Sequence, residues 1–208
     1  MIKNILFDLG GVVITLDQNQ AIRRFQELGL HDADKRLDAY TQDGIFGDLE
    51  RGAIDTETFR KSLSQMVGRE LSLDECGYAW RGYCSEVPRR NLDTLLKLRA
   101  EGYRIILVSN TNPFMMDWAM SPQFDGCGHS LDHFVDACYL SYQCGMMKPD
   151  EKFFRKVLMS EHINPEETLF LDDGPRNVAA ASELGIHTLC PKNGEDWTDT
   201  IYTFLNNH

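Results

Sequence analysis

The chain opens on Asn4-Ile5-Leu6-Phe7-Asp8-Leu9-Gly10-Gly11, a short apolar run that stops at an acid and then at two glycines. Two later stretches repeat the form. Arg104-Ile105-Ile106-Leu107-Val108 ends in Ser109-Asn110, and Thr168-Leu169-Phe170-Leu171 ends in Asp172-Asp173. Ala137–Leu140 and His187–Cys190 are weaker examples. Short runs of Ile, Leu, Val and Phe suit strands buried on both faces, as in a parallel sheet.

Between these runs the apolar spacing changes to that of a helix. Leu92, Leu95 and Leu96 recur at i, i+3 and i+4 between Pro88 and Gly102. Asp150 can cap a helix bearing Phe153, Phe154, Val157 and Leu158. Pro175 suits a first helical position ahead of Val178, Ala181 and Leu184, with Gly185 as the stop. The alternation predicts an α/β fold, a doubly wound parallel sheet with helices on both faces. Residues 16–88 break that rhythm. They carry helical stretches, with Phe59, Leu63, Met66 and Val67 on one face, and no convincing strand. We expect a helical insert over 16–88 after the first strand, on a core domain built from 1–15 and 89–208. A length of 208 residues agrees, being more than one domain of roughly 150 and fewer than two.

Hydrophobic residues make up 42% and charged residues 25%, the ordinary globular balance. Lys and Arg number 21 against 32 Asp and Glu, a net charge of −11. Such a chain repels nucleic acid and anionic membranes at long range, so neither is an expected partner. No segment approaches the roughly 18 apolar residues of a membrane helix. The opening run breaks at Asp8, unlike an export signal. Cys76, Cys84, Cys127, Cys138, Cys144 and Cys190 form no C-x-x-C pair. Reduced thiols and a cytoplasmic location are the expectation.

Open parallel sheets bind ligands beyond the carboxyl ends of their strands. Here three strands end in Asp8, Ser109-Asn110 and Asp172-Asp173, which brings three carboxylates and a hydroxyl toward one crevice. A single acid after a strand is as readily a turn or helix cap. Three carboxylates together repel and call for a cation with a preference for oxygen, most naturally magnesium. Lys148, in Met-Met-Lys-Pro-Asp, would on its own be a solvated loop lysine. It gains weight by following a candidate strand and preceding a capped helix.

Phe-Asp-Leu-Gly-Gly-Val-Val (7–13), Val-Ser-Asn-Thr-Asn (108–112), Met-Lys-Pro-Asp (147–150) and Phe-Leu-Asp-Asp (170–173) resemble, in order and separation, the four motifs of the haloacid dehalogenase superfamily. The set spans most of the chain. The insert resembles the small helical cap of that superfamily, on a Rossmann-like core. The first two motifs and Glu-Arg-Gly (50–52) look most like its α-D-glucose-1-phosphate phosphatase branch. The resemblance implies that Asp8 is the nucleophile, forming an aspartyl-phosphate. It implies that magnesium is held by Asp8, the Gly10 carbonyl and Asp173, with Asp172 as a further ligand or as support. Ser109 and Asn110 would bind phosphate oxygens, and Lys148 would neutralise the phosphoryl group and Asp8. It implies a magnesium-dependent phosphatase of a small phosphorylated metabolite, a sugar phosphate in that family's terms.

Two positions depart from the superfamily's pattern. Many of its phosphatases carry an acid two residues after the nucleophile, and here Gly10 stands there. General acid catalysis is worth about 10²- to 10⁴-fold, so a good leaving group such as an anomeric oxygen suits this site. Arg176-Asn177 follows the acidic pair where a further acid often sits; Asn177 can support by hydrogen bonding. A dehalogenase-type C–X hydrolase also lacks the acid at position 10 and is the rival enzyme, although it does not need paired acids. A catalytically silent binding protein on the same fold is the alternative of another class. Other groupings have plainer explanations. Cys127, His129 and His133 lack the close cysteine pair of a zinc site. Trp80, Tyr83 and Cys84 fit a core stripe as well as a substrate wall, and Met115, Met116, Trp118 and Met120 fit packing.

Replacing Asp8 by Asn removes the nucleophile and keeps its shape. Asp8→Asn is expected to abolish turnover while the far-UV and near-UV circular dichroism stay those of the parent; retained activity would remove the covalent mechanism.

Overall fold

The structure, a computed structural model, describes residues 1–37 and 44–208. Its elements in order are β1 (Asn4–Phe7), β2 (Thr15–Leu16), α1 (Gln18–Glu27), α2 (Ala33–Arg36), α3 (Gly44–Glu50), α4 (Thr56–Val67), α5 (Leu73–Trp80), β3 (Cys84–Glu86), α6 (Arg89–Ala100), β4 (Arg104–Ser109) and α7 (Pro113–Ala119). There follow β5 (Ala137–Leu140), α8 (Ser141–Cys144), α9 (Glu151–Glu161), β6 (Thr168–Leu171), α10 (Pro175–Glu183), β7 (His187–Leu189) and α11 (Thr198–Leu205).

Five strands form a parallel sheet in the order β5-β4-β1-β6-β7. Successive side chains alternate faces. Ile5, Phe7, Ile105 and Leu107 join one apolar cluster, while Leu6, Ile106, Val108 and Phe170 join the other with Phe153, Phe154 and Val157 of α9. Both faces are therefore covered, which is why these strands read as unbroken apolar runs. β1 lies between β4 and β6, where the strand order reverses. Its last residue, Phe7, is level with Leu107 and Leu171.

The expected helices are present. Asp150 caps α9 by accepting from the Lys152 N–H, and Pro175 opens α10. Within 16–88 the described residues are mainly helical; positions 38–43 lie outside the described residues. The sequence signalled no strand there, yet β2 and β3 pair antiparallel where the chain leaves and re-enters the core. Two and three residues are too few for a periodic signal. Phe59 and Leu63 are buried as expected, but Met66 is exposed. The Trp197 indole N–H and the Asn91 amide both donate to the Val12 carbonyl at 2.9 Å, and the Asn193 amide bonds both backbone groups of Leu16. The chain leaving the core is thus pinned from three sides.

Aromatic rings fill the insert. Phe46 meets Phe25 at 5.3 Å, Phe59 at 5.4 Å and Trp80 at 5.8 Å between centroids. Phe59 in turn meets Phe114 of α7 at 5.7 Å, which joins insert to core. Such pairs add about 0.5–1.5 kcal/mol each beyond area burial. Phe46→Ala leaves a cavity among three rings and is expected to cost about 3–5 kcal/mol, read as a lower denaturant midpoint in urea.

Candidate active site

One residue beyond Phe7 and Leu171 come Asp8 and Asp172, side by side at the carboxyl end of the sheet. Asp8 Oδ1 accepts from the Leu9 N–H at 2.7 Å and from Lys148 Nζ at 2.9 Å. Among the described residues Oδ2 accepts no hydrogen bond and stays free for chemistry. Lys148 Nζ also reaches Asp172 Oδ2 at 2.6 Å. This lysine is buried, not solvated. The Asn110 side chain holds it there, donating to the Lys148 carbonyl and accepting from the Lys148 N–H, both at 2.9 Å.

Asp172 is sealed from solvent. Its other oxygen, Oδ1, takes the Gly174 N–H at 2.8 Å and the Asn177 amide at 2.9 Å. Its carboxylate thus supports the start of α10 and has little left to offer an ion. Asp173 is different: it is half-buried, and among the described residues no other residue's group donates to it. Gly11, at φ 77°, passes so close that an added Cβ would lie 2.2 Å from Asp173 Oδ2. Only glycine serves there, by conformation and by space. Gly10 is not in the left-handed region. A Cβ on it would approach Leu16 Cδ1 at 2.9 Å, the far end of a side chain that would have to shift.

Asp8, Asp172 and Asp173 each present an oxygen within 4.8 Å of the others. Burial pushes Asp8 up to about 8; Lys148 opposes this, while Asp172 and Asp173 reinforce it. Burial and Asp172 push Asp173 up to about 6, against Lys148. Burial pulls Lys148 down, but the attraction of Asp172 and Asp8 outweighs it and leaves the amine raised, a firm ammonium. Three crowded carboxylates facing one ammonium, with hard oxygen donors turned inward, fit a small divalent cation such as magnesium.

Ser109 ends β4 and is buried at the same crevice. Thr111 exchanges hydrogen bonds with the Ser141 hydroxyl at 2.9 and 3.0 Å, and Asn112 caps α7. No motif or spacing points to Ser141. A cavity opens beside Ser109 and Asn110, lined also by Gly10, Leu16, Trp80 and Tyr83, so these two rings serve the core and a wall at once. Glu50, at the end of α3, lines it too. Burial pushes the Glu50 carboxyl up to about 8, while Arg51 and a hydrogen bond from Asn112 act the other way. In the sequence it stands only as the first residue of Glu-Arg-Gly (50–52). Its spacing of four from Phe46 could have placed it on the buried face. Cys127, His129 and His133 lie elsewhere, with His129 bonded to Asp125 at 2.8 Å.

A family model described as haloacid dehalogenase-like hydrolase matches residues 2–185. The chain belongs to that family. It is 47% identical to a D-ribitol-5-phosphate phosphatase of Bacteroides thetaiotaomicron, over 99% of this chain and all of the relative. A HAD-like family hydrolase of Porphyromonas gingivalis superposes with a TM-score of 0.94 at 45% identity, over the whole of both chains. A HAD family enzyme of B. thetaiotaomicron, solved with magnesium and inorganic phosphate, superposes with a TM-score of 0.87 at 37% identity, over 96% of this chain and 99% of that one.

The raised Asp8 and Asp173 bind protons in the folded chain that the unfolded chain releases. Their stabilisation is therefore present at low pH and lost as pH rises through about 6 and about 8. The melting temperature of chelator-treated protein should fall over that range. Glu50 adds to the slope with the same sign. Millimolar magnesium should raise the melting temperature most at the alkaline end. Asp173→Asn should remove most of the magnesium response, measured by differential scanning fluorimetry; an unchanged response would show that another group holds the ion.

Proposed function

We propose that this chain is a magnesium-dependent phosphatase that hydrolyses a small polyhydroxylated phosphate monoester, a sugar or alditol phosphate, through an aspartyl-phosphate on Asp8. The observation that carries the proposal is the buried Lys148 ammonium spanning Asp8 and Asp172 beside the open Asp173. The arrangement offers a free carboxylate oxygen, a fixed positive charge and a place for a cation at the end of one strand. Identity of 47% to a D-ribitol-5-phosphate phosphatase over essentially full length supports the substrate class.

Asp8, Asp173 and the Gly10 carbonyl would hold the metal, with Asp172 as a further ligand or as support through Lys148 and Asn177. Bound there, magnesium supplies positive charge that offsets the acids and the phosphoryl oxygens. Asp8 attacks phosphorus. Lys148 steadies the charge on the transferring group, and Ser109 and Asn110 bind its oxygens, Asn110 while also positioning Lys148. Phosphoryl transfer asks mainly for such positioning and electrostatics. Residues 16–88 act as a cap over a core of 1–15 and 89–208, and the cap wall of Trp80 and Tyr83 faces the leaving group. C–X hydrolysis would leave the paired acids without a task, which favours phosphate over halide.

Phosphate release should be measured with magnesium and with chelator, over alditol, sugar, nucleotide and aryl phosphates, with halide release from a 2-haloacid alongside. Release from alditol and sugar phosphates, abolished by chelator, is expected. Metal-independent halide release, or no phosphate release from any ester, would overturn the proposal.

A further inference from the structure

An alditol 5-phosphate is the ester of a primary alcohol. Its leaving oxygen is a poor one and needs a proton as the P–O bond breaks. Gly10 offers none, and the Leu16 side chain packs against it. Lys148 is engaged with two carboxylates.

Glu50 is the buried acid to which the mechanism gives no task. It shares one cavity with Gly10, Ser109 and Asn110. Its other neighbours along that cavity include Leu9, Ile14, Leu16 and Met115, an apolar wall. Arg51, next in the chain, pairs with Asp48 at 2.8 Å instead. Gly52, at φ 71°, lies against the Tyr142 carbonyl so closely that a Cβ would sit 2.1 Å away. That contact seats the end of α3 on the core and fixes where Glu50 stands. In the same cavity Trp80 is buried, and its indole N–H has no partner among the described residues. A hydroxylated ligand would supply one. Burying an acid without an ion pair is costly, and the one hydrogen bond from Asn112 does not need a carboxyl to accept it.

We propose that Glu50 is the proton donor to the leaving oxygen, in place of the carboxyl that Gly10 lacks; this rests on the phosphatase function proposed above. As the Asp8 carboxylate bonds to phosphorus, the P–O electron pair passes to the leaving oxygen and the Glu50 proton goes with it. The alcohol departs. Glu50, now a carboxylate, takes a proton from the water that attacks the aspartyl-phosphate. One water is consumed and both side chains are restored. The burial that keeps the carboxyl protonated near neutral pH makes it ready to donate.

The test compares Glu50→Gln with the parent on ribitol 5-phosphate and on p-nitrophenyl phosphate, whose leaving group needs no proton. Turnover of the alkyl ester should fall by about 10²- to 10⁴-fold, and that of the aryl ester by less than about tenfold. Glu50→Asp should keep part of the alkyl activity; it is read on the same ratio if Glu50→Gln does not fold. Equal losses on both esters, or losses confined to KM, would assign Glu50 to positioning and overturn the proposal. A parent that releases phosphate from neither ester would overturn the phosphatase function itself. An active parent with an unchanged ratio in both variants overturns only the role of Glu50.

Discussion

The site turns on one ammonium placed between two carboxylates. Lys148 and Asp172 are both sealed from water, and Asp8 is nearly so. Removing two or three charges from water costs several kcal/mol per ion, and their attraction repays it only with good geometry and further hydrogen bonds. Those bonds are present. Asp172 is held by Gly174 and Asn177, Asp8 by Leu9, and the Lys148 backbone by Asn110. The group is a network whose members depend on one another. A charge left alone in it would be buried and unpaired.

That network exists because of sheet topology. β1 lies at the reversal of strand order, so its carboxyl end is flanked by the ends of β4 and β6. Register then sets Asp8 beside Asp172. Nothing local to Asp8 could gather three acids and an amine; the parallel pairing does so over a sequence separation of 164 residues between Asp8 and Asp172. Asp173 lies in the bend after β6, and Gly11 makes room for it. The two neighbouring acids therefore divide the work, one satisfied by protein and one left open.

Much of this could be read beforehand. The core strands are buried on both faces, so their apolar runs stood out, and the polar residues that ended them marked the crevice. Asp8, Ser109, Asn110, Lys148, Asp172 and Asp173 were named from those ends and from the motifs they form. The rest depended on contacts that sequence spacing does not encode. Ser141 braces Thr111 across 30 residues. β2 and β3 are too short to carry a period. The glycine-only conformation falls at Gly11 and not at Gly10, a difference that two adjacent glycines do not show until the backbone is seen. Glu50 lies within Glu-Arg-Gly, but the cavity it lines is built from residues distant in the chain, among them Gly10, Trp80 and Met115.

Where the acid stands also follows from charge. A carboxyl at position 10 would be a fourth acid beside Asp8, Asp172 and Asp173. Its proton would be governed by their repulsion and by whatever cation offsets it. Glu50 stands on the insert, in an apolar wall. Its protonation is set chiefly by burial, with Arg51 and Asn112 acting against it, and none of Asp8, Asp172 and Asp173 contributes. Proton donor and charge cluster are thereby decoupled. In the proposed mechanism the ends of the core strands would hold charge and phosphate, while Glu50 and the Trp80 indole, which line the same cavity, would face the leaving group. The contact of Gly52 with Tyr142 is then the joint that brings the two halves into register. Its closeness explains why glycine follows Glu50-Arg51: any larger residue would lift the end of α3 and carry Glu50 away from the cavity it shares with Gly10.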